Sequence, residues 1–266
     1  MTQARANVAL VHLFLAADGE AEARDRLAAM AAAPATRDMA EAMQALWRRN
    51  PDAFDMVRRV DAIARRGAAW GAVFDAAAAV DPCTAVALYS LGDPALLAAA
   101  TGEIVTAMRR WQVIGPEAVV LDFGCGTGRI AAAVAPAVQR VLGVDASPRM
   151  VDIARATVAH HANAAIIQAE SLAELRGDRF DAVLAIDSSP YLVDSGKAPA
   201  MWADAAALLE PGGVFLIMNY SYRGDPGEDA AEVTAFAAIH GFRVLRHGSE
   251  EFSLWDGRVF LLRKSQ

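Results

Sequence analysis

Asp122, Gly124, Gly126, Gly128 and Asp145 are the residues whose types and spacing point most directly to chemistry. They sit in and beyond Val119-Val120-Leu121-Asp122-Phe123-Gly124-Cys125-Gly126-Thr127-Gly128-Arg129-Ile130. An apolar run ends in an acid, glycines follow at every second position, and an Ala-rich helical pattern begins. That order predicts a buried strand, a tight turn and a helix start. Glycine suits a backbone that must turn sharply and come close to a ligand. The helix start adds unpaired N–H groups and a positive dipole end. The chemistry is therefore binding of a nucleotide-like cofactor near residue 125. The Asp122 carboxylate, at the strand end, would accept hydrogen bonds from a ligand amine or from N–H groups of the loop. The dinucleotide fingerprint G-x-G-x-x-G fails, because its third glycine would have to be Arg129. A P-loop fails too, since no Gly-Lys-Ser/Thr follows.

Asp145 ends a second apolar run, Val141-Leu142-Gly143-Val144-Asp145, and lies 17 residues beyond Gly128. Ser147-Pro148 then reads as a helix start, with Ser as N-cap and Pro in the first turn. A third short strand, Ala165–Ala169, leads into Glu170-Ser171. A fourth, Phe180–Ile186, ends at Asp187-Ser188-Ser189-Pro190-Tyr191. A helix over about 197–209 and the turn Leu209-Glu210-Pro211-Gly212-Gly213 precede a fifth strand, Val214–Met218.

The string Leu121–Gly128 resembles the first motif of class I S-adenosylmethionine (SAM) dependent methyltransferases, apolar-apolar-[Asp/Glu]-x-Gly-x-Gly-x-Gly. The later segments resemble that family in order, and the likeness spans roughly residues 115–266. It implies SAM as cofactor and S-adenosylhomocysteine as product. It implies a cofactor site of Asp122, Gly124, Cys125, Gly126, Gly128, Asp145, Ala146, Glu170, Ser171 and Asp187. Asp145 would grip the ribose hydroxyls, and Glu170 and Ser171 would flank the adenine. Cys125 occupies a variable position of the loop and reads as a small side chain packed under the turn rather than a reactive thiol.

Methyl transfer asks the protein mainly to align the reacting atoms, exclude water and, where needed, remove a proton. Candidates for that work are Asp187, Tyr191 and Tyr220. Asp187–Tyr191 resembles the Asp/Asn-Pro-Pro-aromatic motif of nitrogen methyltransferases, with one extra residue and without the first proline. Candidate substrate contacts are Tyr89, Tyr191, Asn219, Tyr222 and Arg223, with Arg223 placed to grip a carboxylate. The plainer role for each is capping or simple surface exposure. The five histidines show no ligand spacing, and no metal site is expected.

The elements that must position these groups fall into two regions. Residues 1–115 are Ala-rich with helical periodicity, over about 4–17, 20–32, 36–49, 51–66, 68–79 and 93–111. Gly67, Asn50-Pro51 and Gly92-Asp93-Pro94 are among the breaks. This region is expected to be a cap, a dimerisation arm or a partner-binding module. Residues 116–266 alternate strand and helix signals. Gly241–Arg246 and Arg258–Arg263 add two further strands, joined through a long hairpin with Asp256-Gly257 as a turn signal. The expected fold is α/β: a seven-stranded, mostly parallel Rossmann-like sheet with helices on both faces and an antiparallel last strand, preceded by an all-α region.

The chain has 266 residues, 55% hydrophobic, with a formal charge of -7. Such a length supports a large core, and the acidic balance disfavours nucleic acid as partner. Two cysteines make no disulfide framework. Val8–Ala17 resembles a short signal-peptide core, but it contains a His, has only Arg5 before it and leads into a charged helical pattern, so it reads as a buried amphipathic helix. A cytoplasmic protein with a small-molecule substrate, no membrane partner and scope for a homodimer is the expectation. Three readings compete with it. An aminopropyl transferase would want a denser acidic groove than Asp187 and Asp194 supply. A nicotinamide oxidoreductase would want the missing third glycine. Methylation of a protein partner would use the helical region as a recruiting module.

Overall fold

The computed structural model describes residues 5–65 and 69–266. Residue 4 of the first expected helix, residue 66 of the fourth, Gly67, and residue 68 of the fifth lie outside the described residues. The chain divides into two compact units, Met1–Glu103 with Phe252–Asp256, and Ile104–Glu251 with Gly257–Gln266. The division between these units falls inside a helix at residue 103, and the helical unit takes in the short segment Phe252–Asp256.

The first unit is helical: α1 (Ala6–Ala16), α2 (Glu20–Ala32), α3 (Arg37–Arg49), α4 (Ala53–Ala64), α5 (Trp70–Val80), the short α6 (Pro82–Val86), and the first part of α7 (Pro94–Arg110). The apolar stretch that begins at Val8 lies in α1, with Leu10 and Phe14 fully buried. Phe14 meets the Trp47 ring edge-on at 4.7 Å and the Phe54 ring at 5.3 Å. Each such ring contributes about 1.5–3 kcal/mol by burial, and each pair about 0.5–1.5 more. Phe252–Asp256 joins this unit through polar groups as well. Buried Asn7 donates to the Tyr89 carbonyl (3.0 Å) and to the Leu254 carbonyl (2.7 Å). Glu103 accepts the N–H groups of Ser253 and Leu254, both at 3.1 Å.

The second unit holds β1 (Val119–Phe123), α8 (Arg129–Val134), β2 (Arg140–Asp145), α9 (Pro148–Val158), β3 (Ala164–Gln168), β4 (Phe180–Ile186), α10 (Ser189–Asp194), α11 (Ala198–Leu208), β5 (Leu209–Met218), α12 (Pro226–Ile239), β6 (Phe242–Glu250) and β7 (Arg258–Lys264). The strands form one sheet in the order β3-β2-β1-β4-β5-β7-β6. Pairing is parallel from β3 to β5, and β7 runs antiparallel to both its neighbours. This is the expected seven-stranded Rossmann-like sheet. β4 is buried along nearly its whole length, as a central strand covered on both faces must be. On one face, Trp202 of α11 packs against Phe215 (4.9 Å) and stacks on Tyr220 (5.6 Å).

One turn differs from expectation. Leu209–Gly213 is not a loop ahead of β5 but its irregular first half. Leu209 pairs with Phe180, and pairing then resumes at Ala182 and Val214. The intervening residues bulge: Pro211 has no N–H to donate, Gly212 takes φ +80°, and a Cβ on Gly213 would lie 2.9 Å from the Glu210 carbonyl oxygen. Among the described residues no helix is long and apolar enough to cross a membrane.

Candidate active site

Strand order reverses between β1 and β4, and the carboxyl ends of parallel strands at such a point are where ligands bind. The turn after β1 lies there. Gly124, Gly126 and Gly128 all adopt left-handed backbone, with φ of +69°, +54° and +75°. The need for glycine is steric at two of them. A Cβ on Gly124 would sit 2.4 Å from the Ser188 Cβ, and one on Gly128 would sit 3.0 Å from the Ala154 Cα. The turn is also tied to β2. Gly124 and Cys125 donate to the Val144 carbonyl at 2.8 and 3.0 Å. The Asp145 carboxylate takes the Gly126 N–H on Oδ2 (2.8 Å) and the Ser147 N–H on Oδ1 (2.9 Å). Asp145 thereby fixes the glycine turn and the entry to α9 together, with Ala146 between its two anchors. Ser147 caps α9 through the Met150 N–H (3.1 Å), as its sequence position predicts.

Asp122 does not reach into open loop space. It is buried beneath the turn, where it accepts the Ala131 N–H in the first turn of α8. Burial pushes its carboxyl up to about 7, against the pull of Arg129 and that amide, and the nearby Asp145 charge adds to the rise. Its Oδ2 has no hydrogen-bond partner among the described residues, and neither have the buried hydroxyls of Ser188 and Ser189 just past β4. Three orphaned polar atoms thus lie by the glycine turn, at the ends of β1 and β4, with hydrogen-bonding capacity left for a polar ligand. The serines carry no motif and escape sequence reasoning. Cys125 is a packed thiol: it is buried, and it lies about 3 Å from where a Gly143 Cβ would stand.

Beyond β3, the Ser171 hydroxyl serves as a helix cap. It accepts the Ala173 N–H (3.2 Å), while Glu174 accepts the N–H groups of Glu170 (3.0 Å) and Ser171 (3.1 Å). The Ser-x-x-Glu spacing of this capping box is visible in the sequence, and the Ser171 O–H remains free to donate. The Glu170 side chain is exposed.

β4 and β5 end in register at Ile186 and Met218, and the next residues, Asp187 and Asn219, are both left-handed with φ +57° and +58°. Asp and Asn tolerate that backbone better than other side-chain-bearing residues. Asn219 donates to Asp187 Oδ1 at 2.6 Å, and the Tyr222 hydroxyl donates to the same oxygen at 3.1 Å. The other end of the Asn219 amide accepts the Arg258 N–H at 3.2 Å. Tyr191 joins through a hydrogen bond between the two phenols, its ring meeting that of Tyr222 edge-on at 5.9 Å. Burial and the Asp187 charge push the Tyr191 phenol above its ordinary range. Tyr222 is two-sided: it is 62% exposed, yet its hydroxyl turns inward. Asp187, Tyr191, Asn219 and Tyr222 thus come together.

Two further candidates are engaged with the core and with α12, and a third belongs to the helical unit. The Tyr220 ring is in the core on Trp202, and its hydroxyl donates to Glu232 (2.7 Å). Arg223 does not wait for a substrate carboxylate, because it is already paired with Glu228 (3.2 Å), Asp229 (2.8 Å) and Glu232 (2.8 Å) of α12. Tyr89 is buried in the helical unit against Trp255, 5.8 Å between rings.

Residues 120–213 match the family described as "Methyltransferase domain". No curated protein matches the chain. Among solved structures, it is similar to N-methyltransferase NodS from Bradyrhizobium japonicum WM9, with 15% identity and a TM-score of 0.50 over 65% of this chain and 99% of that one. The same protein in complex with S-adenosyl-L-homocysteine gives 14% identity and a TM-score of 0.51 over 65% and 90%. These structural likenesses speak to fold, and the domain match together with the motif order speaks to chemistry. Residues 120–213 thus match a methyltransferase domain, set in the Rossmann-like fold that these structures share.

Proposed function

We propose that the enzyme methylates a small-molecule acceptor that is neutral or cationic and donates an N–H or O–H hydrogen bond to Asp187. The observation that carries this reading is the Asp187 carboxylate at the end of β4, held by Asn219 and Tyr222 beside the glycine turn. Asp145 adds a further acidic group at the end of β2, and Arg223 is neutralised by α12. An anionic acceptor would meet repulsion there, and the chain's charge of -7 disfavours nucleic acid.

When bound, SAM supplies an electrophilic methyl group on a sulfonium sulfur. The glycine turn and the Asp122, Ser188 and Ser189 polar atoms suit its amino-acid end. Asp145, with Ala146 and Glu170 further along, suits its ribose and base. Asp187 orients the nucleophile and takes its proton; Tyr191 and Tyr222 fix the carboxylate's direction and line the acceptor's path. Holding reactants in line and removing a proton are the two contributions this chemistry needs.

Calorimetric titration with SAM, paired with transfer of labelled methyl to a panel of amines and alcohols, tests the reading. Asp145→Ala should weaken SAM binding by about tenfold or more, as loss of a charged hydrogen-bonding group does. Asp187→Asn should keep SAM binding and lose about 10²–10⁴ in rate. Undiminished transfer by the Asp187 variant would sink the assignment of the base, and absence of SAM binding would sink the whole reading.

A further inference from the structure

We infer that Arg223 is a positioning residue: by clamping the turn after β5 onto α12, it holds the Tyr222 hydroxyl on Asp187. This rests on the reading that Asp187 and Tyr222 face the acceptor.

Two carboxylates of α12 do the gripping, and each takes two points of the turn. Asp229 Oδ1 accepts from Ser221 Oγ at 2.6 Å and from Arg223 Nη2 at 2.8 Å. Glu232 accepts from the Tyr220 hydroxyl on Oε2 at 2.7 Å and from Arg223 Nη1 on Oε1 at 2.8 Å. Residues 229 and 232 are three apart and share a helix face. Ser221 is also an acceptor for the Arg223 N–H and Nε, both at 3.2 Å. Residues 220, 221 and 223 are therefore all fastened to α12, and 222 is carried between them.

Tyr222 needs this support. Its side chain is 62% exposed, so packing does little to fix its rotamer. Its inward hydrogen bond at 3.1 Å depends on where the backbone presents it. The clamp itself is built for permanence. Asp229 is 6% exposed, and a carboxylate so buried persists only when paired. Arg223 in turn pulls Glu232 below the usual carboxylate range. A guanidinium reaches Asp229, Glu232 and Ser221 from three separate nitrogens of a rigid fork, whereas an ammonium has all its donors on one nitrogen. Lysine at 223 would keep the charge and lose the fork.

The four tyrosines make the test direct. The full-length protein labelled with 3-fluorotyrosine gives four fluorine resonances, assigned by single Tyr→Phe variants. Asp187→Asn should displace the Tyr222 resonance in the native background. In an Arg223→Gln background that displacement should largely disappear, while the Tyr89 resonance stays in place. Arg223→Lys should retain an intermediate displacement. The proposal is overturned if Asp187→Asn moves the Tyr222 resonance equally with and without Arg223. Should Arg223→Gln fail to fold, Ser221→Ala removes one arm of the clamp; it should reduce the displacement, and an undiminished one overturns the proposal. No acceptor or cofactor enters this experiment, so its failure is distinct from failure of SAM binding or methyl transfer.

Discussion

Between β1 and α8 the chain turns on three glycines with φ of +69°, +54° and +75°; between β5 and α12 it turns on Asn219, at φ +58°, and on side chains anchored to helix carboxylates. The first turn is shaped by what is absent, since a Cβ at Gly124 or Gly128 would strike a neighbour. The second is shaped by what is present, a guanidinium and two carboxylates. A backbone-built turn brings amide groups close to a ligand that never varies. A side-chain-built turn can be retuned residue by residue, which suits the half of a site that must recognise one acceptor among many.

Three substitutions would break or sharpen that contrast. The largest effect is expected beneath the first turn, at Asp122. Its folded carboxyl is raised to about 7 from 3.8, so the folded protein holds a proton that the unfolded chain releases. Stability should accordingly fall as pH rises from about 4 through about 7, and stay lower above that. Asp122→Asn removes this fall, and the variant should gain on the native protein by up to about 4 kcal/mol between those limits. Urea denaturation at pH 5 and pH 8 measures it; parallel slopes for both proteins would show that Asp122 is not the titrating group.

Gly124→Ala comes next. A left-handed non-glycine residue costs about 1–3 kcal/mol, and the new Cβ also meets Ser188. Adding Ser188→Gly should restore the steric part of the loss of SAM affinity and leave the backbone part. Equal affinity in the single and double variants would mean that contact with Ser188 is irrelevant. The smallest effect belongs to the second turn. Tyr222→Phe deletes one hydrogen bond to a charged group, worth about 1.5 kcal/mol or roughly tenfold in acceptor kcat/KM, with SAM affinity unchanged. A change in SAM affinity instead would move Tyr222 to the cofactor's side of the site.

Sequence and structure divide along the same line. The glycine turn, the Ser147 cap, Asp145 at the end of β2 and the seven strands are legible because each is a local pattern. Hydrophobic period, turn chemistry and capping act over a few residues and need no knowledge of neighbours. Asp187 and Tyr191 are legible as the end of a strand. Their network is not. Tyr222 reaches Asp187 across 35 positions, and Asn219 joins it to Arg258 across 39. Arg223 illustrates the limit best: one residue among exposed polar neighbours reads as a free cation, and only folding shows it spent on α12. Ser171 carries a Ser-x-x-Glu spacing that spells a cap, and the structure shows that cap.

The sequence by itself determined a parallel sheet, its glycine turn and the acids at its strand ends, because backbone constraints and periodicity are written locally. Only the tertiary structure decided that Asp122 is buried and partly protonated, that Tyr220 belongs to the core, and that residues 252–256 join the helical unit. Those outcomes depend on desolvation, and on which charges and donors meet across the sheet. Both are properties of a packed chain and of no single segment.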